Sequence, residues 1–390
     1  MSFINEVIFL LKTHVRDYAM YIALAVIFIY FNIATGGGFL TPRNITNLVN
    51  QTGYIAVIAV GMTLVLIIRE IDLSVGYVAG FLGAVAATYM MRTNMSVWLI
   101  IIIILLFGAV IGLTEGIIIG KVRVPSFVTT LAFQFGFRGL LILITEATGT
   151  ILVTNETFNA LSNGFVPDFQ KSGGLHMLTL VAGAVAIILV IISQVNARNK
   201  LKRYNFETVS TPVFILKILF FSVMIGLLSF ALANYRGLSW TIVIVSIVVL
   251  IYNFFMNRTR LGRYIYGVGS NPEAAALSGI NVKKTLYFVF ASMGMLSALG
   301  GILFTSRLQS ATTTAGSGFE LDAIASCYIG GVSTKGGIGK VANTIVGALV
   351  IMSLTNGMNL MGVGISYQYV IKGIIFIMAV AFDVLSRGKA

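Results

Sequence analysis

The sequence predicts an all-α polytopic membrane protein, and three observations support this prediction. The chain of 390 residues is 57% hydrophobic and only 10% charged, whereas soluble domains carry about 25% charged residues. Its apolar residues are gathered into segments of roughly 20 residues, the length that crosses a bilayer as a helix. The five prolines fall between these segments or in their first turns, where a missing N–H costs little. Together these observations exclude a soluble enzyme, a disordered chain and a nucleic-acid-binding protein.

Twelve apolar segments follow one another along the chain, and all but one are close to the length of a membrane span. They cover residues 18–33, 48–68, 73–91, 97–119, 127–145, 175–193, 213–233, 238–255, 286–306, 321–332, 341–360 and 367–385, of which 321–332 is the short one. Each segment is expected to be helical, because a lone strand would leave its backbone polar groups unpaired in lipid. With some segments broken or re-entrant, we expect roughly 10–12 transmembrane helices.

The basic residues predict the orientation of the chain. When the twelve segments alternate from a cytoplasmic N-terminus, every inner loop carries at least two lysines or arginines and every outer loop one or none. The positive-inside rule therefore predicts that both termini are cytoplasmic, and the net charge of +13 reflects topology beside anionic lipid. We expect a cytoplasmic segment 1–17 and a single transmembrane domain 18–390, with an inner loop 257–285 and an outer loop 146–174.

The densest group of charges inside the apolar pattern lies in residues 69–76, which read Arg-Glu-Ile-Asp-Leu-Ser-Val-Gly. One interpretation is a short cytoplasmic turn in which Asp72 caps the next helix. The other is a broken helix whose turn enters the bundle and lines a polar pathway, since irregular backbone is tolerated at depth only beside a cavity. Residues 318–322 repeat the Glu-x-Asp pattern before a second, glycine-interrupted apolar segment, which hints at two related halves.

Three further features have a plain structural interpretation. Gly108, Gly112, Gly116 and Gly120 recur every fourth residue, a pattern typical of close helix packing. Glu115 lies within that series, about one turn from Lys121, and an interfacial pair with a lysine or an arginine would explain it. The outer segment 146–174 is polar without periodicity, so that it is either a plain loop or a docking surface for an external partner.

The inner loop carries the clearest local signals. Asn271 suits a helix N-cap, Pro272 the first helical position, Glu273 the positive end of the helix dipole, and Gly279 the stop. Between them the sequence predicts a helix over residues 272–278. So short a helix is marginal alone in water, so we expect a groove on a soluble subunit to hold it. The alternative, a helix lying on lipid, has too little apolar surface.

The sequence resembles the membrane permeases of bacterial sugar ABC importers in the ribose, xylose and galactose group. The resemblance runs from about residue 40 to 385, and its length and basic segment 196–212 are most similar to D-xylose permeases. It rests on "LTPRNITNLVNQT" (40–52), "EIDLSVG" (70–76), "VPSFVTTLA" (124–132), "FRG" (137–139), "RTRLGRYIYGVGSNPEAAALSGINV" (258–282), "ELDAIASCYIGGVSTKGGIGKVANTIVGAL" (320–349) and "SLTNGMNLMGV" (353–363). Glu115 departs from it, because similar permeases often carry an amide there.

The resemblance implies a permease homodimer in the bacterial cytoplasmic membrane, a cytoplasmic ATP-binding subunit and an extracytoplasmic sugar-binding protein. It also implies that the short inner helix is the coupling helix that touches the ATPase, formed by Asn271, Pro272, Glu273, Ala274, Ala275, Leu277, Gly279 and Ile280. The chain itself lacks the phosphate-binding loop GxxxxGK[ST]: "TKGGIGKV" (334–341) has Thr334 and Val341 at two required positions. ATP is therefore expected to be hydrolysed by another chain, and we predict no catalytic, metal or cofactor site here.

The first functional hypothesis is therefore a permease subunit of an ATP-driven monosaccharide importer that works by alternating access. Polar residues at or near the apolar segments are the candidates for its solute pathway: Asn50, Gln51, Asp72, Ser74, Asn356, Asn359 and Gln368. Two alternatives stay open. One is a secondary transporter driven by an ion gradient, which would use acids within its spans. The other is an ABC permease for a nucleoside, a signalling sugar or a branched-chain amino acid.

Overall fold

The computed structural model describes residues 15–146, 149–169, 174–206 and 208–387. Most of the predicted cytoplasmic segment, residues 1–14, lies outside the described residues. The helices and strands, in chain order, are α1 Val15–Ala34, α2 Pro42–Ile67, α3 Val75–Arg92, α4 Val97–Ile117, α5 Ser126–Thr145, β1 Thr150–Leu152, α6 Glu156–Asn163, α7 Met177–Arg203, α8 Thr211–Ala233, α9 Trp240–Arg258, α10 Arg260–Ser270, α11 Pro272–Leu277, α12 Val282–Leu308, β2 Ser310–Thr312, α13 Phe319–Ile329, α14 Val341–Leu360 and α15 Ile365–Arg387.

Each of the twelve predicted apolar segments overlaps a helix, so the helical character of the chain is confirmed. Within the described ranges, eight helices are long and apolar enough to cross a membrane, judged by length and composition. They are α2, α4 with its π-helical extension to Val122, α5, α7, α8, α9, α12 and α14. The count of twelve crossings and the cytoplasmic position of both termini stay predictions, and "inner" and "outer" below refer to that predicted orientation.

The bundle is built around α2 and α12. The most apolar 18-residue window of α2 is 94% buried and that of α12 is 72% buried, whereas the windows of α7 and α8 are each only 11% buried. A soluble protein would pay heavily for so much exposed apolar surface, but lipid is its natural solvent. The α7–α8 hairpin therefore lies at the apolar periphery of the bundle, while α2 and α12 form its core.

Small residues allow the closest helix contacts, as the glycine series predicted. A methyl group on Gly112 would collide with the carbonyl oxygen of Phe290 in α12, and one on Gly294 with that of Gly108. The backbones of α4 and α12 therefore touch directly, in the arrangement that small residues permit in membranes. The single cysteine, Cys327 of α13, lies in the same core and donates to the Ala59 carbonyl oxygen at 3.3 Å.

Two parts of the structure differ from the sequence-based expectation. The chain is not purely helical, because β1 pairs with β2 in an antiparallel two-stranded sheet. β1 and α6 lie within the outer segment 146–174, and β2 pairs with β1 from another part of the chain. The segment is therefore folded rather than a plain loop: Phe158 is fully buried and the Ser162 hydroxyl donates to the Leu303 carbonyl oxygen. Helix α7 also continues ten residues past its predicted apolar end at Ser193, because its straight-chain basic residues favour helix and complement the dipole of its last turn.

Candidate functional site

The chain leaves α2 at Ile67 and turns back into the bundle before α3 begins. Asp72 and Ser74 in this connector are each only 1% exposed. The Asp72 Oδ1 atom accepts the Ser74 N–H at 2.9 Å and the Ser74 hydroxyl at 2.7 Å. The interpretation as a short surface turn fits only the first part of this connector: Arg69 is exposed, whereas Asp72 and Ser74 are shielded from water. Residues 68–74 are the broken stretch of a helix pair that enters the protein.

The packing of α3 on α12 gives the depth of this break. Ala79 packs on Gly301 and, one turn later, Gly83 packs on Thr305, so the two helices run in the same direction. Extending the pairing back by one turn places the first residue of α3 near the middle of the 27-residue α12. Helix α3 therefore begins within the bundle rather than at either face.

The second Glu-x-Asp segment begins at the same depth. Phe319, the first residue of α13, lies with its ring centroid 4.9 Å from that of Tyr54, at the middle of α2. A methyl group on Gly76 would collide with the Gly316 carbonyl oxygen and with Glu320 Oε2. The starts of α3 and α13 therefore meet inside the protein. The weak sequence similarity of the two segments corresponds to two discontinuous helices in contact.

Buried acidic groups surround this junction of α3 and α13. Glu320 is 7% exposed and its Oε1 accepts the Gln134 side-chain N–H at 3.3 Å. Glu115, on α4, is 1% exposed. The expected pairing of Glu115 with Lys121 is wrong: Lys121 is exposed. Glu115 follows Gly108 and Gly112 at helical spacing, so it shares the face that α4 turns to the core.

An ion pair ties α13 to the last helix. The Lys372 Nζ atom of α15 lies 2.9 and 3.0 Å from the two carboxyl oxygens of Asp322. Sequence reasoning did not assign a role to Lys372 or Gln134. Both are polar residues within apolar helices, which is the signal that would have identified them.

A second polar region lies at the outer end of the bundle. It is an open cleft of about 520 Å³ whose lining combines amides, arginines and aromatic rings: Gly38, Thr41, Arg43, Asn44, Thr46, Asn47, Asn50, Asn163, Phe165, Tyr235, Arg236, Arg307 and Leu360. The Ser239 hydroxyl donates to Asn50 Oδ1 at 2.5 Å, and the Asn44 side-chain N–H donates to Asn356 Oδ1 at 2.9 Å. Amide and guanidinium groups beside aromatic rings suit a small hydroxylated solute.

The seven predicted pathway residues therefore fall into two groups. Asp72 and Ser74 lie at the buried junction. Asn50 lines the outer cleft, Asn356 bonds to its wall, and one turn after Asn356 the Asn359 Oδ1 atom accepts the Gln368 side-chain N–H at 2.8 Å. Gln51 adjoins Asn50 on α2, is half-buried, and does not line the cleft.

The inner loop forms the local structure that its sequence predicts. Helix α11 covers Pro272–Leu277, one residue shorter than expected, and Asn271 Oδ1 accepts the Ala274 N–H at 3.0 Å as its N-cap. Gly279 ends it with a φ of 83°. Ala275 is buried against the protein, and Glu273, Ala274 and Leu277 are exposed, with Leu277 91% accessible. Among the large hydrophobic side chains of the described residues, that of Leu277 is the most exposed.

Arg69 connects this inner helix to the buried connector. Its guanidinium group donates to the carbonyl oxygens of Gly269 and Ser270, the last residues of α10. The Gly337 N–H donates to the Ile67 carbonyl oxygen at 2.8 Å beside it. Because Arg69 lies three residues before Asp72, one short stretch of chain joins the segment that carries α11 to the junction of α3 and α13.

Comparisons with known proteins agree along most of the chain. The family model described as "Branched-chain amino acid transport system / permease component" matches residues 44–380. The xylose transport system permease protein XylH of Haemophilus influenzae is 35% identical over 378 residues, 97% of this chain and 98% of that protein. XylH of Escherichia coli is 36% identical over 97% of this chain and 94% of its own. The ribose import permease protein RbsC of Escherichia coli is 34% identical over 88% and 87%. No solved structure matches the chain.

Proposed function

Because this chain belongs to the family of branched-chain amino acid transport system permease components, and is similar to xylose and ribose permeases over most of its length, we propose that it is the membrane subunit of an ATP-driven importer. Its cargo is a monosaccharide, xylose or a related pentose or hexose. It is a multi-pass protein of the bacterial cytoplasmic membrane with both termini in the cytoplasm. Residues 18–390 act as one transmembrane domain.

Three partners complete the transporter: a second copy of this chain, a cytoplasmic ATP-binding subunit and an extracytoplasmic sugar-binding protein. The observation that carries the proposal is the exposed, capped helix α11 together with its link through Arg69 to the buried connector. ATP binding would move the partner subunit, α11 would follow it, and Arg69 would transmit the displacement to residues 69–74. The chain binds no cofactor and hydrolyses no ATP in this scheme.

The solute would enter at the outer cleft. Asn50 lines it, and Asn356, Asn359 and Gln368 lie in or beside its wall with Gln51 adjacent; their amides offer both donors and acceptors to sugar hydroxyl groups. Asp72 and Ser74 then mark the barrier at the middle of the bundle, where the two discontinuous helices meet. Movement of this junction would open the path inward, which is the alternating-access step.

The test is ATP-driven uptake of labelled xylose and ribose by cells or proteoliposomes that hold the complete transporter. Glu273→Arg and a deletion of residues 272–278 should each abolish uptake while the chain still inserts in the membrane. Lys202→Glu, a charge reversal at an exposed position in the last turn of α7, is the matched control and should leave uptake unchanged. Normal uptake in both inner variants would show that α11 is not the coupling element.

The buried acids Asp72, Glu115 and Glu320 favour a second candidate, transport driven by a proton or sodium gradient, because secondary transporters place ionisable groups within their spans. Uptake that continues without any ATPase subunit and stops when the gradient is dissipated would establish this candidate. An ABC permease for a nucleoside, a signalling sugar or a branched-chain amino acid is distinguished by equilibrium binding of these solutes to the cognate binding protein.

A further inference from the structure

Arg138 of α5 carries a charge on a helix that is apolar enough to cross a membrane. The most apolar window of this helix is only 17% buried in the single chain, and Arg138 is exposed on it. The residue stands twelve positions after the start of α5 and seven before its end, or about 18 Å and about 10 Å from the two ends. An arginine at such a depth faces water or protein rather than acyl chains, because its charge is costly in lipid.

The neighbours of Arg138 give the depth of its charged group. The Arg138 Cζ atom lies 5.8 Å from the centre of the Tyr77 ring, and Tyr77 belongs to the first turn of α3, which begins within the bundle. One turn before Arg138, the Gln134 side-chain N–H donates to Glu320 Oε1 in the first turn of α13. The guanidinium group therefore lies beside the junction of α3 and α13 and not at either end of the bundle.

Most of the hydrogen-bonding capacity at this place is unused. Within the part of the chain that the structure describes, Arg138 forms no hydrogen bond or ion pair, and its contact is with the face of the Tyr77 ring. The Tyr77 hydroxyl group has no partner among the same residues, and Gln134 bonds only through its N–H. Five guanidinium N–H donors, a phenol and an amide oxygen are thus free to bind a ligand, and Tyr77 and Gln134 are only half-buried.

The charges beside these groups indicate which kind of ligand they suit. Through its bond to Gln134, the Glu320 carboxyl group lies within about one helical turn of Arg138. Asp322 is already paired with Lys372 at 2.9 Å. An acidic group so close to the guanidinium group disfavours an anionic ligand, and acyl chains offer no hydrogen bonds. A neutral ring with several hydroxyl groups can bond to the polar groups and pack its C–H face on the aromatic ring.

We propose that Tyr77, Gln134 and Arg138 form a solute-binding site at mid-depth, beside the junction of α3 and α13 and separate from the outer cleft. Its ligand is a neutral polyhydroxylated solute of the monosaccharide class. Arg138 donates to hydroxyl groups, Gln134 accepts through Oε1, and the Tyr77 ring packs on the C–H face. The site serves the proposed function, on which this inference rests, by holding the cargo after it leaves the outer cleft.

Fluorescence of the full-length chain in lipid nanodiscs tests whether water and sugar reach the site. Tyr77→Trp would be made in a background with Trp98→Phe and Trp240→Phe, so that it supplies the one indole of the chain. Its emission should be quenched by aqueous iodide and not by brominated lipid, and xylose should reduce the iodide quenching because an occupied site excludes iodide. Val223→Trp is the matched control: Val223 lies in the middle of α8 and is 48% exposed. That indole should be quenched by brominated lipid and should not respond to xylose.

Uptake by the complete transporter gives a second readout. Arg138→Gln should lower the maximal rate of xylose uptake about tenfold, the effect of losing one hydrogen bond to a charged group. Its melting temperature should be unchanged, because the guanidinium group has no polar partner among the described residues. Arg138→Lys keeps a charged donor and should recover part of the rate, which a purely steric role would not predict. Arg92→Gln, at an exposed position in the last turn of α3, should leave uptake unchanged.

Failure of the site and failure of the proposed function give different results. Absent uptake of xylose and ribose by the wild-type transporter would refute the function. In a transporter that works, quenching of the Tyr77→Trp indole by brominated lipid, or iodide quenching that xylose does not change, would overturn the site. Separation of two copies of the chain in both Arg138 variants would also overturn it, because the guanidinium group would then pair with a second copy instead of a solute.

Discussion

Arg69 donates through Nε to the carbonyl oxygen of Gly269 at 2.6 Å, and this bond joins the end of α2 to the end of α10. The buried connector follows Arg69 in the chain, and the short inner helix α11 follows the end of α10. Arg69 also has a φ of 66°, a conformation that bulky residues adopt only when their surroundings hold them there. The contact is therefore a fixed joint between the surface that faces the cytoplasm in the predicted orientation and the interior of the bundle.

Replacing this arginine tests the joint. Arg69→Ala removes both bonds to the end of α10, so we expect uptake to fall by about tenfold, the size of a typical coupling energy between two sites. Folding stability should fall by only about 1 kcal/mol, because the side chain is largely exposed. Arg123→Ala is the control, since Arg123 is exposed and has the same φ of 66°. Equal losses of uptake in the two variants would contradict the role of Arg69.

The exposed Leu277 offers a test of the inner surface. Leu277→Asp should leave the melting temperature of the permease unchanged, because the side chain is 91% exposed and packs on nothing in this chain. Association with the ATP-binding subunit should weaken by about 2 kcal/mol or more, as for an apolar contact at the centre of an interface. Leu201→Asp, at another exposed leucine near the inner end of α7, serves as the comparison. Co-purification of the subunit with both variants at wild-type yield would refute the prediction.

The glycine contact between α4 and α12 predicts opposite effects for two identical substitutions. Gly112→Ala should lower the melting temperature, because its methyl group would collide with the Phe290 carbonyl oxygen and push the helices apart at a cost of about 1–3 kcal/mol. Gly226→Ala in α8 places its methyl group in open space and should be neutral or stabilising by up to about 1 kcal/mol. Thermal unfolding in lipid nanodiscs measures both, and a stable Gly112→Ala protein would show that the helices are not in backbone contact.

Asp168 makes the outer end of α7 sensitive to acid. Its carboxyl group accepts the backbone N–H groups of Leu178, Met177 and Phe169 at 2.8–3.0 Å, and these bonds, with His176 nearby, lower the pKa of Asp168 below its usual value. A lowered pKa means that this contribution to stability is fully present above the unfolded value of about 4 and is lost as the pH falls through the folded value.

Hydrogen exchange of the Met177 and Leu178 amides against pH would measure this effect. Their protection should fall below about pH 4 in the wild-type protein and should be weaker and independent of pH in Asp168→Asn, which has no carboxyl group to titrate. Protection that stays constant in the wild-type protein over the same range would contradict the prediction.

The parts of the fold that sequence reasoning predicted are those with local causes. Helix α11 has its cap, its proline and its terminal glycine within nine residues, and the structure has each of them in its expected role. The glycine spacing of α4 likewise predicts a face for close helix packing, and this prediction does not depend on which helix packs there. The end of α7 was missed because the apolar segment ends at Ser193, whereas the polar and basic residues that follow it still favour a helix.

The junction of α3 and α13 could not be derived in the same way. The pattern of residues 69–76 fitted a surface turn as well as a buried break, and only tertiary packing separates the two. Tyr54 and Phe319 are 265 positions apart in the sequence, and Gln134 and Glu320 are 186 apart. No local rule reports such pairs, because each depends on which helices become neighbours.

The burial of Cys327 has a practical consequence for spectroscopy. It is the one cysteine of the chain and is fully shielded from solvent within α13. Thiol-reactive labels will therefore find almost no target on the folded protein, and a cysteine introduced at a chosen exposed position will carry the label alone. The native chain can thus serve as its own background for following distances between the outer cleft and α11 during a transport cycle.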